Sequence, residues 1–395
     1  MLNEPLATFQ PTFEAYTKAY NFVCQTGYPT LQTNGVELHK LTYTETRKYL
    51  PSQLAISARM KATESLKAVK ALKKKGQKIS CPVSKRCSIR LDVRSYNVWF
   101  DRKEASMMVV GGRKKFRIDI PKYFERYLDW KHTSADLCVD HKNRVFLHIV
   151  FEKEITDTPE NGTLVGIDRG IKKLATTSTN KFFGGGHVKQ VSDKYREQRK
   201  QLQSKGTRSA QRHLAELKRK ERRFRADVNH CISKQIVEGL QPGDTIVLEK
   251  LTGIRKRARR LTKAQKQAGQ KTVRKDQRRE INCWNFFQLE QFLTYKAAEK
   301  GIRVVFVDPR YTSQRCSRCG HIVRANRKRQ DLFKCRKCGF SHNADLNAAK
   351  NICLKYLDAT GYPGTAVVNQ PNDGKTANAP RLPGSSKPTA LAVGN

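Results

Sequence analysis

The sequence predicts a mixed α/β protein that also contains a separate antiparallel β region. Three changes of pattern along the chain support this fold class. Residues 12–80 have helical periodicity, residues 86–157 alternate with period two, and short apolar strands alternate with helices from residue 163. The chain has 395 residues, which is enough for two or three domains. Its hydrophobic fraction of 38% is below the globular norm but supports real cores.

The charge of the chain is strongly unbalanced. It has 78 Lys and Arg against 35 Asp and Glu, which gives a formal net charge of +43 at pH 7. Such a protein repels itself unless a polyanion binds it, so nucleic acid is the expected partner and an anionic membrane surface is the alternative. The membrane is disfavoured because no apolar run approaches the ~18 residues of a spanning helix, and the N-terminus has no secretory signal pattern. We therefore expect a protein of a reducing compartment such as the cytoplasm, whose eleven cysteines form no structural disulfides.

The first 85 residues are expected to be mainly helical. Phe13, Tyr16 and Tyr20 recur at the spacing of one helix face. A later segment keeps this spacing and ends at residues 73–76 in the run Lys-Lys-Lys-Gly. That run puts cations in the last turn and a glycine after it, as helix ends commonly do.

Residues 86–160 are expected to form a small antiparallel β-barrel or sandwich. Ile89, Leu91 and Val93 alternate with polar or charged neighbours, which is the pattern of a half-buried strand. The pair of glycines at 111–112 is typical of a turn between two such strands.

Residues 161–311 are expected to form an α/β core. The predicted elements are strands at 164–168, 174–179 and just before 184–186, a helical region at 189–240, a strand at 245–249, a helix at about 284–300 and a strand at 304–307. Three strands in a row, then helix, then strands alternating with helices, is the outline of an RNase H-like core. The final 37 residues, 359–395, contain five Pro and five Gly and are expected to be a disordered tail.

Four of the cysteines form the most specific motif in the chain. Two Cys-x-x-Cys pairs are separated by fifteen residues, and a glycine follows each pair. Four thiolates at this spacing are typical of a tetrahedral zinc site, and a closed Cys₄ site is structural because it leaves no open coordination position. An iron–sulfur centre is the chemical alternative. The candidate ligands are Cys316, Cys319, Cys335 and Cys338.

Three acidic residues are candidates for a catalytic metal site. Asp168 and Glu249 each end an apolar strand, and Asp345 lies where a helix begins after the cysteine motif. Acids at such positions are costly unless they meet water, cations or metal, and three that converge would bind two Mg²⁺ ions able to clamp a phosphodiester. Each acid also has a structural alternative: Asp168 could bond a turn amide, Glu249 could pair with an arginine, and Asp345 could cap its helix.

Two basic segments are predicted to contact nucleic acid. Residues 194–225 contain 13 Lys and Arg against three Glu, and residues 255–279 contain 12 against one Asp. Acid partners at i,i+4 are scarce, so these faces repel themselves until phosphates bind. The densest run of basic residues, at 255–260, suits a loop that follows a nucleic-acid strand. Its candidate contacts are Arg255, Lys256, Arg257, Arg259 and Arg260.

Four motifs in the second half of the chain resemble those of a known family. They are GIDRG at 166–170, VLEKL at 247–251, TSQRC at 312–316 with the cysteine pairs, and NADLNAAKNI at 343–352. Together they are similar to the TnpB family, transposon-encoded RNA-guided DNA endonucleases that are ancestral to the type V (Cas12) CRISPR effectors. The resemblance covers about residues 160–355. It is weaker over residues 12–157, where the family has a helical recognition lobe and a β-barrel wedge domain.

The resemblance implies a fold and a domain order. It implies an RNase H-like (RuvC) nuclease domain with an inserted Cys₄ zinc ribbon, preceded by the recognition lobe and the wedge domain. On this chain the expected ranges are 1–85 for the lobe, 86–160 for the wedge, 161–311 and 343–358 for the nuclease core, 312–342 for the ribbon and 359–395 for the tail. The chain departs from the family by starting almost at the first helix instead of at a basic strand, so either the barrel lacks a strand or the start is misassigned.

The resemblance also implies cofactors and partners. Asp168, Glu249 and Asp345 would hold two catalytic Mg²⁺ ions, with Mn²⁺ as a substitute, and the four cysteines would hold one Zn²⁺. The partners would be a guide RNA and double-stranded and single-stranded target DNA, bound by a protein that is monomeric in the ribonucleoprotein.

Four functions follow from these residues. The leading expectation is an RNA-guided, Mg²⁺-dependent DNA endonuclease of a transposon, and a miniature type V CRISPR effector would use the same chemistry. A guide-free RuvC-like nuclease and a zinc-ribbon DNA-binding regulator with structural acids are the alternatives. The charge favours a guided complex, because a heteroduplex of roughly 20 pairs carries about 40 negative charges, whereas one short regulatory site carries few.

Overall fold

A computed structural model describes residues 1–155, 161–253, 273–329 and 331–362. The chain divides into two compact units, with the boundary after Glu154. The predicted nucleic-acid contacts Arg255, Lys256, Arg257, Arg259 and Arg260 lie outside the described residues, as does the predicted tail from residue 363 onward. None of the helices in the described part of the chain has the length and apolar character that crossing a membrane requires.

The first unit begins with three helices, Leu6–Gly27 (α1), Gly35–Arg47 (α2) and Ser52–Lys74 (α3). Phe13, Tyr16 and Tyr20 are buried on one face of α1, as their spacing predicts. Helix α3 ends at Lys74, and Gly76 two residues later has a φ of 68°, so the predicted glycine stop is confirmed.

Six strands follow in two three-stranded antiparallel sheets. The strands are Ile89–Asp92 (β1), Tyr96–Trp99 (β2), Glu104–Val109 (β3), Gly112–Arg117 (β4), Lys131–Val139 (β5) and Val145–Glu152 (β6). One sheet has the order β1-β5-β6 and the other has the order β2-β3-β4. Ile89 and Leu91 are buried as predicted, but Val93 is 68% exposed, because the strand ends at Asp92 and a turn begins there.

The helices and the sheets of the first unit share one hydrophobic core. Phe9 of α1 packs against Phe116 of β4 with ring centroids 4.8 Å apart, and Met107 and Leu137 are buried in the same cluster. Residue Leu2 also forms an antiparallel bridge with Ile118, so the segment before α1 joins the edge of this β region.

The second unit is built on a five-stranded mixed sheet, which confirms the predicted α/β class. The strands are Leu164–Asp168 (β7), Lys173–Thr177 (β8), Phe182–Gly184 (β9), Thr245–Glu249 (β10) and Arg303–Val307 (β11). Their order in the sheet is β11-β10-β7-β8-β9. Strands β7, β10 and β11 are parallel, and β7, β8 and β9 form an antiparallel meander.

The helical region predicted at 189–240 is two helices, Gly186–Lys205 (α4) and Arg208–Glu238 (α5). Gly206 has a φ of 62° and ends the first, and the Thr207 hydroxyl accepts the N–H of Ala210 and starts the second. Lys275–Cys283 (α6) and Phe286–Glu299 (α7) precede β11.

The last described elements complete the sheet and the cysteine motif. A short hairpin, Leu332–Lys334 (β12) and Ser341–Asn343 (β13), leads into helix Ala344–Thr360 (α8). This helix continues two residues beyond the predicted limit of 358, and Gly361 ends it with a φ of 61°. Helix α8 packs directly on β7, because Gly166 presents no side chain to Ala349 and Cys353.

The close approach of α8 to β7 predicts a specific stability effect. A Cβ at Gly166 would lie 2.2 Å from the carbonyl oxygen of Ala349, so Gly166→Ala should lower the free energy of unfolding by about 1–3 kcal/mol, as overpacked cores do. Chemical denaturation measures the change. Gly184→Ala is the matched control, since a Cβ there meets no heavy atom within 4 Å. Equal stability of the two variants would contradict this packing.

Candidate active site and metal centre

The structure brings the three predicted acids to one edge of the five-stranded sheet. Strands β7 and β10 are parallel, with Ile167 opposite Leu248, so Asp168 and Glu249 both lie at the carboxyl ends of neighbouring strands. Asp345 is the second residue of α8, the helix that packs on β7. The charges of Glu249 and Asp345 both act on Asp168.

The environment opposes ionisation of these acids. Burial, followed by the charges of Glu249 and Asp345, raises the pKa of Asp168 from 3.8 to about 7. Burial also raises the pKa of Glu249 and of Asp345. A group of acids that resists ionisation needs cations beside it in order to be charged at neutral pH.

One such cation is Arg327, which the sequence analysis did not assign to the site. Its guanidinium lies 3.3 Å from the Asp345 carboxylate, and its charge lowers the pKa of all three acids against the effect of burial. Arg327 lies between the two cysteine pairs, in the basic stretch 324–329. The only sequence signal for it was that stretch of positive charge.

Two residues of the quoted motifs position Glu249. The Thr312 hydroxyl is within hydrogen-bond distance of Glu249 Oε1, at 2.5 Å. The fully buried Arg169 side chain donates to the backbone carbonyl of Glu249 and pairs with Glu290 of α7 at 2.7 Å. Arg169 therefore ties the end of β10 to a helix on the sheet. Both residues lay in the GIDRG and TSQRC motifs, but neither was given a role from sequence.

The four cysteines meet in space as a candidate metal site. The Sγ atoms of Cys316 and Cys338 are 3.8 Å apart, and those of Cys319 and Cys335 are 3.6 Å apart. Four thiolates around zinc at ~2.3 Å require separations of about 3.8 Å, so the geometry fits the metal. The glycine after each pair has a φ above 70°, which allows the backbone to turn at each pair of cysteines.

The carboxylates are arranged differently from the thiolates. Within the described residues, the cysteines are the one group of three or more His, Cys, Asp or Glu side chains whose ligand atoms all lie within 4.8 Å of one another. The carboxylate oxygens of the three acids are therefore more widely spaced than the thiolates. Such spacing suits Mg²⁺, which binds through one or two carboxylates and keeps water or phosphate oxygens as its other ligands.

Helix α8 joins the cysteine motif to the acids. Asn347 Nδ2 donates to the carbonyl of Arg315 at 2.9 Å, and Asn347 Oδ1 accepts the N–H of Ser317 at 3.1 Å. Asn351 Nδ2 donates to the carbonyls of Thr312 and Arg315 at 2.8 and 2.6 Å. The helix that carries Asp345 is thus bonded to the segment that carries Thr312 and the first cysteine pair.

The basic segment 194–225 forms an antiparallel pair of helices, α4 and α5, and its arginines have two roles. Glu221 of α5 is buried and pairs with Arg199 of α4, which connects the two helices, and with Arg225 one turn further along α5. Other arginines are exposed along one face of α5 at spacings of 4, 7 and 4 residues, which spans roughly 22 Å at 1.5 Å per residue. This arginine stripe consists of Arg208, Arg212, Arg219 and Arg223.

Two family models match the segments of the chain that carry this site. The model for a probable transposase (OrfB_IS605) matches residues 148–252, and the Cas12f1-like TNB domain matches residues 286–352. The first match contains Asp168 and Glu249, and the second contains the four cysteines and Asp345.

Three relatives with sequence similarity to this chain are named as nucleases or as a TnpB-like protein. The chain is 40% identical over 147 residues to the CRISPR-associated endodeoxyribonuclease Cas12f1 of Sulfoacidibacillus thermotolerans, covering 37% of this chain and 30% of the relative. It is 29% identical over 217 residues to the putative RNA-guided DNA endonuclease InsQ of Escherichia coli, covering 52% of each. It is 33% identical over 144 residues to a TnpB-like protein of Methanocaldococcus jannaschii, covering 36% of this chain and 47% of the relative.

The predicted resemblance to the TnpB family is therefore confirmed. The matched segments span about half or less of the length of these curated relatives. A solved complex of Cas12f1 with sgRNA and target DNA is similar in fold over 87% of this chain and 81% of that one, with a TM-score of 0.61 at 16% identity. At that identity the likeness bears on the fold alone.

The raised pKa of Asp168 predicts that its charge destabilises the folded protein when no divalent cation is bound. Its pKa of about 7 lies above the ordinary 3.8, so folding favours the protonated form and stability is lost as the pH rises towards 7. Asp168→Asn should therefore raise the free energy of unfolding at pH 8 by on the order of 1–4 kcal/mol, since one pKa unit is about 1.4 kcal/mol. Denaturation at pH 4 and pH 8 in buffer without Mg²⁺ or Mn²⁺ measures this, and the gain should nearly vanish at pH 4.

Asp140→Asn is a control of opposite sign. The Asp140 carboxylate accepts from the Arg144 guanidinium at 2.8 Å and from two backbone N–H groups, so its removal should lower stability. A gain for Asp168→Asn that is equal at both pH values, or absent at pH 8, would contradict the electrostatic account.

Proposed function

We propose that this chain is an RNA-guided, Mg²⁺-dependent DNA endonuclease that cleaves target DNA with Asp168, Glu249 and Asp345. The observation that carries the proposal is the convergence of these three acids at the carboxyl edge of parallel strands, bonded through α8 to a four-cysteine motif. The names of the relatives support the reaction, since they include a putative RNA-guided DNA endonuclease and a CRISPR-associated endodeoxyribonuclease, besides a TnpB-like protein.

The proposed fold is an RNase H-like (RuvC) nuclease core with an inserted zinc ribbon. The strand order β11-β10-β7-β8-β9, with an acid at the end of β7 and of β10 and a third on α8, supports this core. The two three-stranded sheets support a β-barrel wedge domain at 86–160, and helices α1, α2 and α3 support a recognition lobe at 1–85.

The proposed chemistry is hydrolysis of a phosphodiester bond. Two Mg²⁺ ions, or Mn²⁺ in their place, would be held by the three acids and would supply an activated water and charge neutralisation at the leaving oxygen. Thr312 keeps the Glu249 carboxylate in one orientation through its hydrogen bond. Arg327 adds a positive charge beside Asp345, where a phosphate of the substrate would approach.

The proposed partners are a guide RNA and target DNA, both double-stranded and single-stranded, bound by one copy of the protein. The net charge of +43 supports this, because a heteroduplex of roughly 20 pairs carries about 40 phosphate charges. The arginine stripe on α5 supplies part of the described basic surface, since phosphate contacts favour exposed guanidinium groups. The matches include a probable-transposase family model and a CRISPR-associated endodeoxyribonuclease, and the same chemistry would serve a miniature type V effector.

The decisive test is guided cleavage by the reconstituted ribonucleoprotein. Protein copurified with its RNA should cut DNA that matches the guide in Mg²⁺, and a new guide sequence should redirect the cut. Asp168→Ala should abolish cleavage but leave DNA binding nearly unchanged, because phosphate contacts elsewhere dominate affinity.

Three outcomes would overturn this function. RNase-treated protein that cuts the same DNA equally well would indicate a guide-free nuclease. Cleavage that ignores a change of guide would indicate the same class. Normal cleavage by Asp168→Ala would exclude the proposed catalytic acid.

We also propose that Cys316, Cys319, Cys335 and Cys338 bind one structural zinc ion per chain. A ribbon of this size buries little apolar surface, so metal binding would supply its folding free energy, on the order of 10 kcal/mol. Cys335→Ser should lose the zinc, measured by metal analysis of the purified protein. Cys231→Ser removes a thiol outside the ribbon and should keep it. Wild-type protein that contains iron and sulfide, or no metal, would contradict the zinc site.

A further inference from the structure

Tyr311 has a backbone conformation that its side chain does not favour. Its φ is 65°, in the left-handed region, and it is 59% exposed. A bulky residue there is an uncommon and strained choice, whereas Gly or Asn adopts this conformation readily. Strain of this kind is found where the surrounding structure holds it, often at functional sites.

The turn that contains Tyr311 is held by its backbone. The carbonyl of Tyr311 accepts the N–H groups of Gln314 and Arg315, both at 2.9 Å. Lys355 Nζ donates to the carbonyls of Asp308 and Arg310 at 2.7 Å each. None of these bonds involves the tyrosine ring, so another residue could form the same turn with less strain.

Tyr311 lies in the segment that follows the carboxyl end of β11, which is parallel to the strand that carries Glu249. The next residue is Thr312, whose hydroxyl bonds Glu249. The residue before it, Arg310, has a side chain that is 80% exposed and whose Nε lies 3.6 Å from the Asp308 carboxylate. An exposed ring next to an exposed guanidinium is the combination that binds single-stranded nucleic acid, by stacking on a base and contacting a phosphate.

We propose that Tyr311 is a stacking platform for an unpaired base of the DNA strand whose phosphate reaches Asp168, Glu249 and Asp345. The proposal rests on the nuclease function proposed above. Because every base has a π-face, this contact would hold the strand without selecting its sequence. The turn is adjacent in the chain to Thr312, which bonds Glu249, so a base stacked on Tyr311 would orient the neighbouring phosphate.

The test measures base stacking without cleavage. Short single-stranded DNA with 2-aminopurine at successive positions is added to the wild-type ribonucleoprotein in buffer without Mg²⁺ or Mn²⁺, and fluorescence quenching reports which base stacks. Tyr311→Asn removes the ring but accepts a positive φ, and Tyr311→Phe keeps the ring. We expect quenching at one or two positions in wild type and Tyr311→Phe, its loss in Tyr311→Asn, and about tenfold weaker binding of the strand.

Phe287→Asn is the matched control, since it removes another ring of the same unit that is 66% exposed. It should leave quenching and binding unchanged. In Mg²⁺, Tyr311→Asn should raise the KM for single-stranded DNA more than it lowers kcat. A DNA substrate with an abasic site at the stacked position should raise the KM of the wild type by a similar factor. The same substrate should not raise the KM of Tyr311→Asn further.

Two results would overturn the platform. Wild-type quenching and binding by Tyr311→Asn would show that the ring does not stack on a base of the DNA strand. An equal loss in Phe287→Asn would show a nonspecific effect. Failure of the nuclease proposal is distinguishable, because it would appear as absence of guided cleavage by the wild type in Mg²⁺ while stacking is still measured without Mg²⁺ or Mn²⁺.

Discussion

The burial of Asp168, Glu249 and Asp345 at one edge of the sheet is the constraint on which the candidate site depends. Burial raises the pKa of each acid, and at Asp168 the charges of Glu249 and Asp345 add to this effect. The surrounding residues limit the cost: Arg327 supplies a positive charge, and Thr312 gives Glu249 a hydrogen bond.

The segment that carries the four cysteines, here called the cysteine ribbon, contributes contacts to the acidic site. Arg327 is contributed by the ribbon, and Asn347 and Asn351 bond the ribbon's first segment to the helix that carries Asp345. Buried Asn326 adds a further link, since its side chain bonds the backbone of Gln314, His321 and Arg336 across the two cysteine pairs. A metal that orders the ribbon would therefore also order one cation and one acid of the site.

The positive charge of the chain is divided between structure and surface. Arg169, Arg199 and Arg225 pair with acids that are largely shielded from solvent, where removal of one partner would leave an uncompensated charge. The arginine stripe is exposed and repulsive in the absence of phosphate. Sequence composition cannot separate these two classes, because both appear only as Lys and Arg in a helix.

The sequence by itself determined the features that depend on local pattern. The strands ending in Asp168 and Glu249 were predictable because apolar runs and their bounding residues are local, and the Cys₄ site was predictable because its ligands come in two short pairs. Tertiary structure alone decided the rest. The pairing of Arg327 with Asp345, the bond of Thr312 to Glu249 and the shared core of helices and sheets in the first unit join residues distant in sequence. Such contacts are set by how strands and helices pack, and no periodicity or spacing records that.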